Sequence, residues 1–346
     1  MNKSNFFKLE STFIIAEIGV NHNGDMDMAK KLILSAKEIG ADAVKFQSFK
    51  SNLLADTKTP KVEYQKKNTL NSESHYEMLN ALELSFDQQA ELKYFCDKCN
   101  IVFMSTPYDV SSAMFLNEQL DIKCFKLASA DIVDIYLHRY IAKTGKPVVI
   151  STGMANLSEI EQALSHYPPD FNRNICLLQC TSNYPASDES LNLNVIPMFS
   201  KAFNTVVGYS DHSNDDVSAL CAVTLGAKVI ERHITLDKTL KGPDHAASST
   251  PKELSFYIKN IRRVNAMIGT SVKRIQPEEI EMSNISRKSI VLASDIKVGE
   301  IITDDILMLQ RPAIDGISPE FISKIIGRKV SRSLPVNHRL TFDDLA

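Results

Sequence analysis

The chain has 346 residues, 44% hydrophobic and 23% charged, an ordinary globular composition rather than a disordered one. At roughly 150 residues per domain it suits about two domains, or one large domain with an appendage, and a core of that size needs no metal or disulfide staple. With 39 Lys and Arg against 42 Asp and Glu the formal net charge is -3, which argues against a generally basic nucleic-acid binder but not against a local anion site.

No apolar run approaches the roughly 20 residues that span a bilayer. The opening MNKSNFFKLESTF lacks the apolar stretch of a secretory signal. The six cysteines, Cys96, Cys99, Cys124, Cys176, Cys180 and Cys221, are scattered, mostly in apolar segments. They read as reduced thiols of a cytoplasmic protein. Cys96 and Cys99 form a lone C-x-x-C with no second pair, and read as structural.

Eight short apolar runs rich in β-branched residues read as buried parallel strands. They lie at residues 13–19 (FIIAEIG), 43–48 (AVKFQS), 101–106 (IVFMST), 124–129 (CFKLAS), 147–152 (PVVIST), 174–180 (NICLLQC), 206–212 (VVGYSDH) and 228–233 (KVIERH). Helical patterns separate or follow them: MDMAKKLILSAKEIG, SAMFLNEQL, NLSEIEQAL, DDVSALCAVTLG and PKELSFYIKNIRRVNAMIG. Pro251 suits a first helical turn and Gly269 a helix stop. Eight β-α repeats over about 260 residues are the arithmetic of an α/β fold of the closed (β/α)8 TIM-barrel type. An open doubly wound sheet is the alternative, and no Gly-rich dinucleotide fingerprint supports it. Residues 1–269 therefore read as the barrel and 270–285, polar and without a β-run, as a linker. Residues 286–346 read as a compact module of short strands and turns with little core of its own.

In such a barrel chemistry sits at the C-terminal ends of the strands. Polar residues fall at that end of every run: Glu17 with Asn21, His22 and Asn23; Lys45 and Gln47; Ser105 and Thr106; Lys126, Ser129 and Asp131; Ser151 and Thr152; Gln179 with Thr181, Asn183 and Tyr184; Ser210, Asp211 and His212; Glu231 and His233. Lys45 and Gln47 are two apart and share a face. An inward lysine is costly unless it meets an anion. Lys45 and Lys126, with hydroxyls from Thr106, Ser129, Ser151 and Ser210, read as a phosphate or carboxylate cradle. The alternative is a structural network with Glu17, Glu231 or Asp131. His212 and His233 end adjacent strands and suit one shared divalent ion completed by substrate or water. Hydrogen-bonded core histidines or an acid-base pair are the alternatives. Asp244 and His245 fall in a loop over the same mouth. His75, His138, His166 and His338 carry no chemical signal.

Taken together these residues resemble the sialic acid synthases, which condense phosphoenolpyruvate with an N-acylated hexosamine. The likeness rests on AEIGVNHNG (16–24), AVKFQSF (43–49), FMSTPYD (103–109), KLASAD (126–131), STGM (151–154), CTSNYP (180–185), GYSDHS (208–213) and ERHITLDKTLKGPDHAAS (231–248). In the C-terminal module RKSI (287–290), DIKVGEIIT (295–303) and RPAIDGISP (311–319) resemble the family's antifreeze-like (SAF) domain. The resemblance covers nearly the whole chain, and its specificity lies in the joint order of the motifs.

It implies a TIM barrel with a small C-terminal SAF domain, in a domain-swapped homodimer. It implies Mn2+ or Mg2+ held by His212 and His233, and phosphoenolpyruvate held by Lys45, Thr106, Lys126, Ser129, Ser151 and Ser210. Sugar contacts fall on Gln47, Asn183, Tyr184, Asp244 and, from the swapped domain, Arg311. Glu17 and Asp131 are the candidate catalytic carboxylates. Aspartate stands at 131 where many bacterial members have glutamate, and RPAIDGISP departs from the commoner RPGTGISP-like form. The implied reaction joins phosphoenolpyruvate to N-acetylmannosamine, giving an N-acetylneuraminate-type acid. N,N'-diacetyllegionaminate or pseudaminate synthesis, use of the 6-phosphorylated sugar, an imine-forming aldolase and a carbohydrate-binding scaffold are the alternatives.

Overall fold

Each of the eight runs becomes a strand: β1 (Phe13–Gly19), β2 (Ala43–Ser48), β3 (Val102–Pro107), β4 (Phe125–Leu127), β5 (Val148–Ser151), β6 (Ile175–Cys180), β7 (Val206–Asp211) and β8 (Val229–His233). The computed structural model describes residues 6–7, 9–56, 58–61, 68–69 and 74–346. These divide into two compact units, Met1–Gly269 and Thr270–Ala346. In the first, all strand pairs are parallel and β1 pairs with both β2 and β8, which bends the sheet into a barrel. The seam lies between β3 and β4, which run side by side without a hydrogen-bonded ladder. The fold is thus the (β/α)8 barrel and not the open sheet. Strand β4 is shorter than its apolar run because the chain turns at Ser129–Val133 into a 3-10 helix.

Eight helices follow the strands: α1 (Met26–Glu38), α2 (Phe86–Lys98), α3 (Val110–Glu118), α4 (Ile135–Thr144), α5 (Leu157–Leu164), α6 (Val195–Phe203), α7 (Val217–Thr224) and α8 (Pro251–Ile268). Their starts are chemically marked. Ser85 and Gln88 close a capping box on α2, and Thr250 and Glu253 do the same on α8, with Pro251 where no N–H is needed. Gly145 ends α4 at φ 64, a left-handed value that glycine adopts without strain. The sequence pattern did not single out α2, α4 or α6. A buried histidine interrupts the apolar face of α4, and Pro197 sits in the first turn of α6, where it is tolerated.

Strand alternation sorts the side chains. Outward residues such as Ile14, Ala16, Ile18, Val44 and Phe46 join the helices in the main core. Inward residues form layers. Ile15, Ala43, Met104, Cys124, Val149, Cys176, Leu178 and Val229 make an apolar lower layer with Phe6. One inward step further along the strands come Glu17, Lys45, Lys126, Ser151 and Glu231. The polar mouth thus stands on an apolar floor. Gly208 is an inward residue of β7 that must stay small. A Cβ there would lie 2.3 Å from the Val229 carbonyl oxygen and 2.5 Å from Leu178.

The second unit pairs β9 (Ser289–Leu292) with β10 (Leu307–Gln310) in antiparallel fashion. It does have a core of its own: Ile290, Leu292, Ile296, Ile302, Ile317, Ile325, Val330, Leu334 and Leu340 are buried together. The segment read as a linker is not wholly irregular. A 3-10 turn at Pro277–Glu279 runs into the helix α9 (Ile280–Ser286). No described helix is long and apolar enough to cross a membrane, and none of the six cysteines is in a disulfide.

The close approach at Gly208 generates a stability prediction. Gly208→Ala should lower the unfolding free energy by roughly 1–3 kcal/mol through overpacking. Chemical denaturation reads it, and an unchanged midpoint would contradict the packing described.

Candidate active site

A cavity of about 430 Å3 opens at the C-terminal ends of the strands, and all eight strands or the loops that follow them line it. Of the residues singled out in the sequence, Glu17, Lys45, Gln47, Thr106, Lys126, Ser129, Ser151, Tyr184, Ser210, His212, Glu231, His233 and Asp244 meet there. The pairing register brings them together. Glu17 sits beside both Lys45 and His233, and Ser210 beside Glu231.

The floor of the cavity is a buried charge array. Lys45 Nζ lies 2.7 Å from Glu17 Oε2 and 3.8 Å from Glu231 Oε2, and donates to Thr106 Oγ1 at 2.9 Å. Lys126 Nζ lies 3.7 Å from Glu231 Oε1 and donates to Ser151 Oγ at 2.7 Å and to the Leu127 carbonyl at 2.9 Å. Ser210 Oγ donates to Glu231 Oε1 at 3.3 Å. Glu231 therefore bridges the two lysines.

Burial and charge act in opposition here. Burial disfavours the Lys45 cation, but Glu17 and Glu231 outweigh it and hold its pKa above the usual value. Burial pushes Glu231 up, while Lys126 and Lys45 pull harder and leave its pKa below the usual value. Burial raises Glu17 to about 7 against the pull of Lys45, with Glu231 adding to the rise. Burial also lowers Lys126, with Glu231 opposing. The structural network that the sequence offered as the alternative is present. The lysines are tied to carboxylates, and they still line an open cavity.

His212 and His233 face each other across the rim, ring centroids 5.9 Å apart, with Tyr184 over both. His212 Nδ1 lies 2.8 Å from the Thr181 carbonyl, which takes the ring N–H and leaves Nε2 its lone pair. His233 keeps a buried Nδ1 with no hydrogen-bond partner. Burial, His212 and the nearby lysines push its pKa far down, so the ring is neutral. Burial opposes the His212 cation, but Cys180, the Thr181 carbonyl and Glu231 outweigh it and hold its pKa above the usual value. With its proton on Nδ1, its Nε2 and the His233 ring still offer lone pairs that fit a borderline divalent ion. No group of three or more His, Cys, Asp or Glu that could hold a metal occurs among the described residues. The two imidazoles would supply part of a shell and leave the remainder to substrate or water oxygens.

Other residues are placed elsewhere by the same alternation. Asp211 points outward, where it takes hydrogen bonds from Arg232 and the Tyr257 hydroxyl, each at 2.7 Å. Gln179 donates to the Leu191 carbonyl, and Ser105 meets Ser48. Asn21 and Asn23 brace the first loop against the last: Asn21 Nδ2 donates to the Ile234 carbonyl and Ser248 Oγ, and Asn23 Nδ2 to the Lys241 carbonyl. His22 Nδ1 accepts the Gly24 N–H. His245 meets Thr235 and Asn23, so of the 244–245 pair Asp244 is the one in the cavity. Burial raises the Asp244 carboxyl to about 6.

Two candidates of the barrel unit, Asn183 and Asp131, are not among the residues that line the cavity, and a third lies in the other unit. Asn183 is exposed and donates to the Pro185 carbonyl, and its neighbour Ser182 lines the cavity in its stead. Arg311 belongs to the second unit, is exposed, and its carbonyl accepts from Arg339. Asp131 lies in the 3-10 turn just behind Ser129 and Ala130, with a buried Oδ2 that has no partner. Burial and then Asp134 raise its carboxyl to about 7. Sequence reasoning passed over Cys180, whose sulfur lies 3.8 Å from His212 Nδ1, and Gly153. A Cβ at Gly153 would fall 2.2 Å from Ser182 Oγ and 2.9 Å from Ser129 Oγ. The glycine inside STGM was the available signal for that close approach.

A parallel barrel with an anion-suited, histidine-rimmed mouth defines the architectural class. The family model of the NeuB family matches residues 32–273, and that of the SAF domain matches residues 287–346. The chain is 46% identical over 323 residues to N,N'-diacetyllegionaminic acid synthase of Campylobacter jejuni, covering 92% of this chain and 96% of the relative. It is 39% identical to human N-acetylneuraminate-9-phosphate synthase, covering 92% and 88%. Among solved structures, N-acetylneuraminic acid synthetase from Leptospira borgpetersenii, in complex with citrate, superposes with a TM-score of 0.69 at 33% identity, over 79% of this chain and 90% of that one. The chain belongs to the NeuB family, and the resemblance read from its motifs is borne out.

The Asp131 environment predicts a pH dependence. Its folded pKa of about 7 lies above the ordinary aspartate value of 3.8, so between these values the native state holds the proton more tightly. The associated stabilisation is full below 3.8 and is lost as pH rises through about 7. Asp131→Asn should therefore gain stability relative to wild type as the pH is raised from about 4 to about 7.5. Denaturant midpoints across that range test it, and parallel curves for the two proteins would contradict it.

Proposed function

We propose that this protein condenses phosphoenolpyruvate with an N-acylated hexosamine, releasing phosphate and forming a nonulosonic acid. The observation that carries the proposal is the cavity floor. Two buried lysines and three hydroxyl side chains, of Thr106, Ser151 and Ser210, surround one bridging carboxylate below a pair of imidazoles. Such a floor suits a small polyanion, because each lysine offers charge-assisted hydrogen bonds in a site of low dielectric.

The bonds balance as follows. Carbon 3 of phosphoenolpyruvate attacks the aldehyde carbon of the open-chain sugar, and water adds at carbon 2. The aldehyde oxygen takes up a proton and becomes a hydroxyl. The tetrahedral intermediate then breaks its C–O bond, phosphate leaves with the bridging oxygen, and the carbon 2 hydroxyl gives up its proton as the ketone forms. Lys45 and Lys126 hold the phosphate and offset its charge. Asp131 takes the proton from the water on its unpaired buried oxygen, for which a pKa near 7 suits it, and this role requires its side chain to reach past Ala130 into the cavity when substrate is bound. Glu17, also near 7, orients the sugar or relays a proton. A divalent ion, Mn2+ or Mg2+, when bound by His212 and His233, would polarise the aldehyde oxygen. Gln47, Tyr184 and Asp244, which line the cavity, would contact the sugar.

For the acceptor we favour a 2,4-diacetamido-hexose over N-acetylmannosamine. One support is the 46% identity to a diacetyllegionaminic acid synthase. The other is an apolar wall of Leu54, Met78, Leu79 and Leu82 on the cavity. A second acetyl methyl set against it gains about 0.8 kcal/mol by burial. The same reading makes the working enzyme a homodimer in which the exposed Arg311 of the SAF unit contributes to sugar binding.

Phosphate release from phosphoenolpyruvate with added Mn2+ tests the reaction. N-acetylmannosamine, its 6-phosphate and 2,4-diacetamido-hexoses should be compared. The expected result is metal-dependent release with the highest kcat/KM for a diacetamido sugar. Higher kcat/KM for N-acetylmannosamine or its phosphate would overturn the acceptor assignment, and no release with any of them would overturn the reaction. Arg311→Ala should raise the sugar KM and leave the phosphoenolpyruvate KM unchanged. Equal effects on both would remove Arg311 from the sugar site.

A further inference from the structure

His138 gave no chemical signal in the sequence, yet it is fully buried on α4 directly behind the turn that carries Ser129 and Asp131. Its Nε2 lies 3.1 Å from the Ile132 carbonyl oxygen, and its Nδ1 lies 3.1 Å from the Tyr167 hydroxyl. The carbonyl only accepts, so Nε2 carries the proton and the Tyr167 O–H donates to Nδ1. Tyr167 is itself fixed. It is buried, stacks on Phe171 at 5.6 Å and meets the His138 ring edge to face. A continuous line of contacts therefore runs from the helical core through Tyr167 and His138 to the main chain one residue beyond Asp131.

We infer that His138 and Tyr167 are positioning residues, which lock the Ser129–Val133 turn and so fix where the Asp131 carboxyl stands behind the cavity-lining Ser129 and Ala130. The inference rests on the assignment of Asp131 as the base. The 3-10 turn is held internally by two main-chain bonds, from Asp131 N–H to the Ala128 carbonyl and from Asp134 N–H to the Asp131 carbonyl. Short 3-10 turns have poor hydrogen-bond geometry and need support from outside. Ser129 Oγ supplies one outside tie by accepting the Gly153 N–H at 3.0 Å. His138 supplies the other at the far end of the turn. Burial pulls the His138 pKa down to about 4, so the ring stays in the single tautomer that this line of bonds requires. The other charged or titratable groups acting on Asp131 and His138 are Asp134, Lys126 and His166. A carboxyl whose buried Oδ2 has no partner takes its direction largely from the backbone that carries it, and a displacement of about 1 Å at a reacting group can cost on the order of 100-fold in rate.

The test compares Tyr167→Phe, His138→Gln, His138→Phe and Asp131→Asn for kcat, phosphoenolpyruvate KM, the pH profile of kcat and thermal midpoint. Tyr167→Phe removes one hydroxyl and keeps the ring. In His138→Gln the amide N–H can still reach the Ile132 carbonyl. The expected result is a fall in kcat on the order of 10–100-fold in Tyr167→Phe, with phosphoenolpyruvate KM unchanged and the acidic limb of the profile displaced. His138→Gln should recover most of the kcat that His138→Phe loses. Wild-type kcat and an unmoved acidic limb in Tyr167→Phe and His138→Gln, with Asp131→Asn inactive, would overturn the positioning role and leave the base assignment standing. Wild-type turnover in Asp131→Asn would overturn the base assignment itself, and the positioning role with it.

Discussion

Four charged side chains sealed into one layer of the barrel constrain everything around them. Lys45, Glu17, Glu231 and Lys126 are each almost wholly buried. Removing such charges from water is expensive, and only close pairing makes it tolerable. The ladder register that sets Glu17 beside Lys45 is therefore as necessary as the residues themselves. Glu231 is held ionised between two lysines, while Glu17 titrates near neutrality.

A second buried ion pair supports the rim. Arg232 and Asp211 directly adjoin His233 and His212 in sequence but point the opposite way, outside the barrel. Arg232 Nη1 reaches Asp211 and the Asp215 carbonyl, its Nε reaches Ser249 Oγ, and its guanidinium lies over the Tyr257 ring. Ser249 N–H in turn donates to the His233 carbonyl. The backbone of both histidines is thereby fixed from behind. At the opposite side of the mouth Asn21, Asn23 and His245 fasten the first loop to the last, and this holds Asp244 over the cavity.

The fold was legible because the barrel repeats one local pattern eight times, and because period-two alternation assigns each strand residue to a face. Lys45 and Gln47, or Glu231 and His233, could be placed in one cavity from spacing alone. Alternation was also where the reading of strand ends was too inclusive. Asp211, Gln179 and Ser105 are polar residues at strand ends, but their parity turns them outward. Asn183 and Ser182 show the same limit in a loop, where no period tells which of two neighbours faces inward. Gly153 and His138 were missed for a different reason. Their roles depend on a close approach to Ser182 and on a carbonyl six positions back in the chain; the first is marked only by the residue being glycine, and the second leaves no trace in residue type. The separate core of the C-terminal unit was underestimated because its isoleucines and leucines come from many short segments, none periodic enough to register.

The most direct test of the account is calorimetric titration of phosphoenolpyruvate into wild type, Lys45→Met and Lys126→Met, with folding of each checked by circular dichroism. Charge-assisted hydrogen bonds of about 1.5–3 kcal/mol each predict binding that is weaker by roughly 10–100-fold in either variant. Undiminished affinity in both folded variants would contradict the assignment of the lysine array as the anion site.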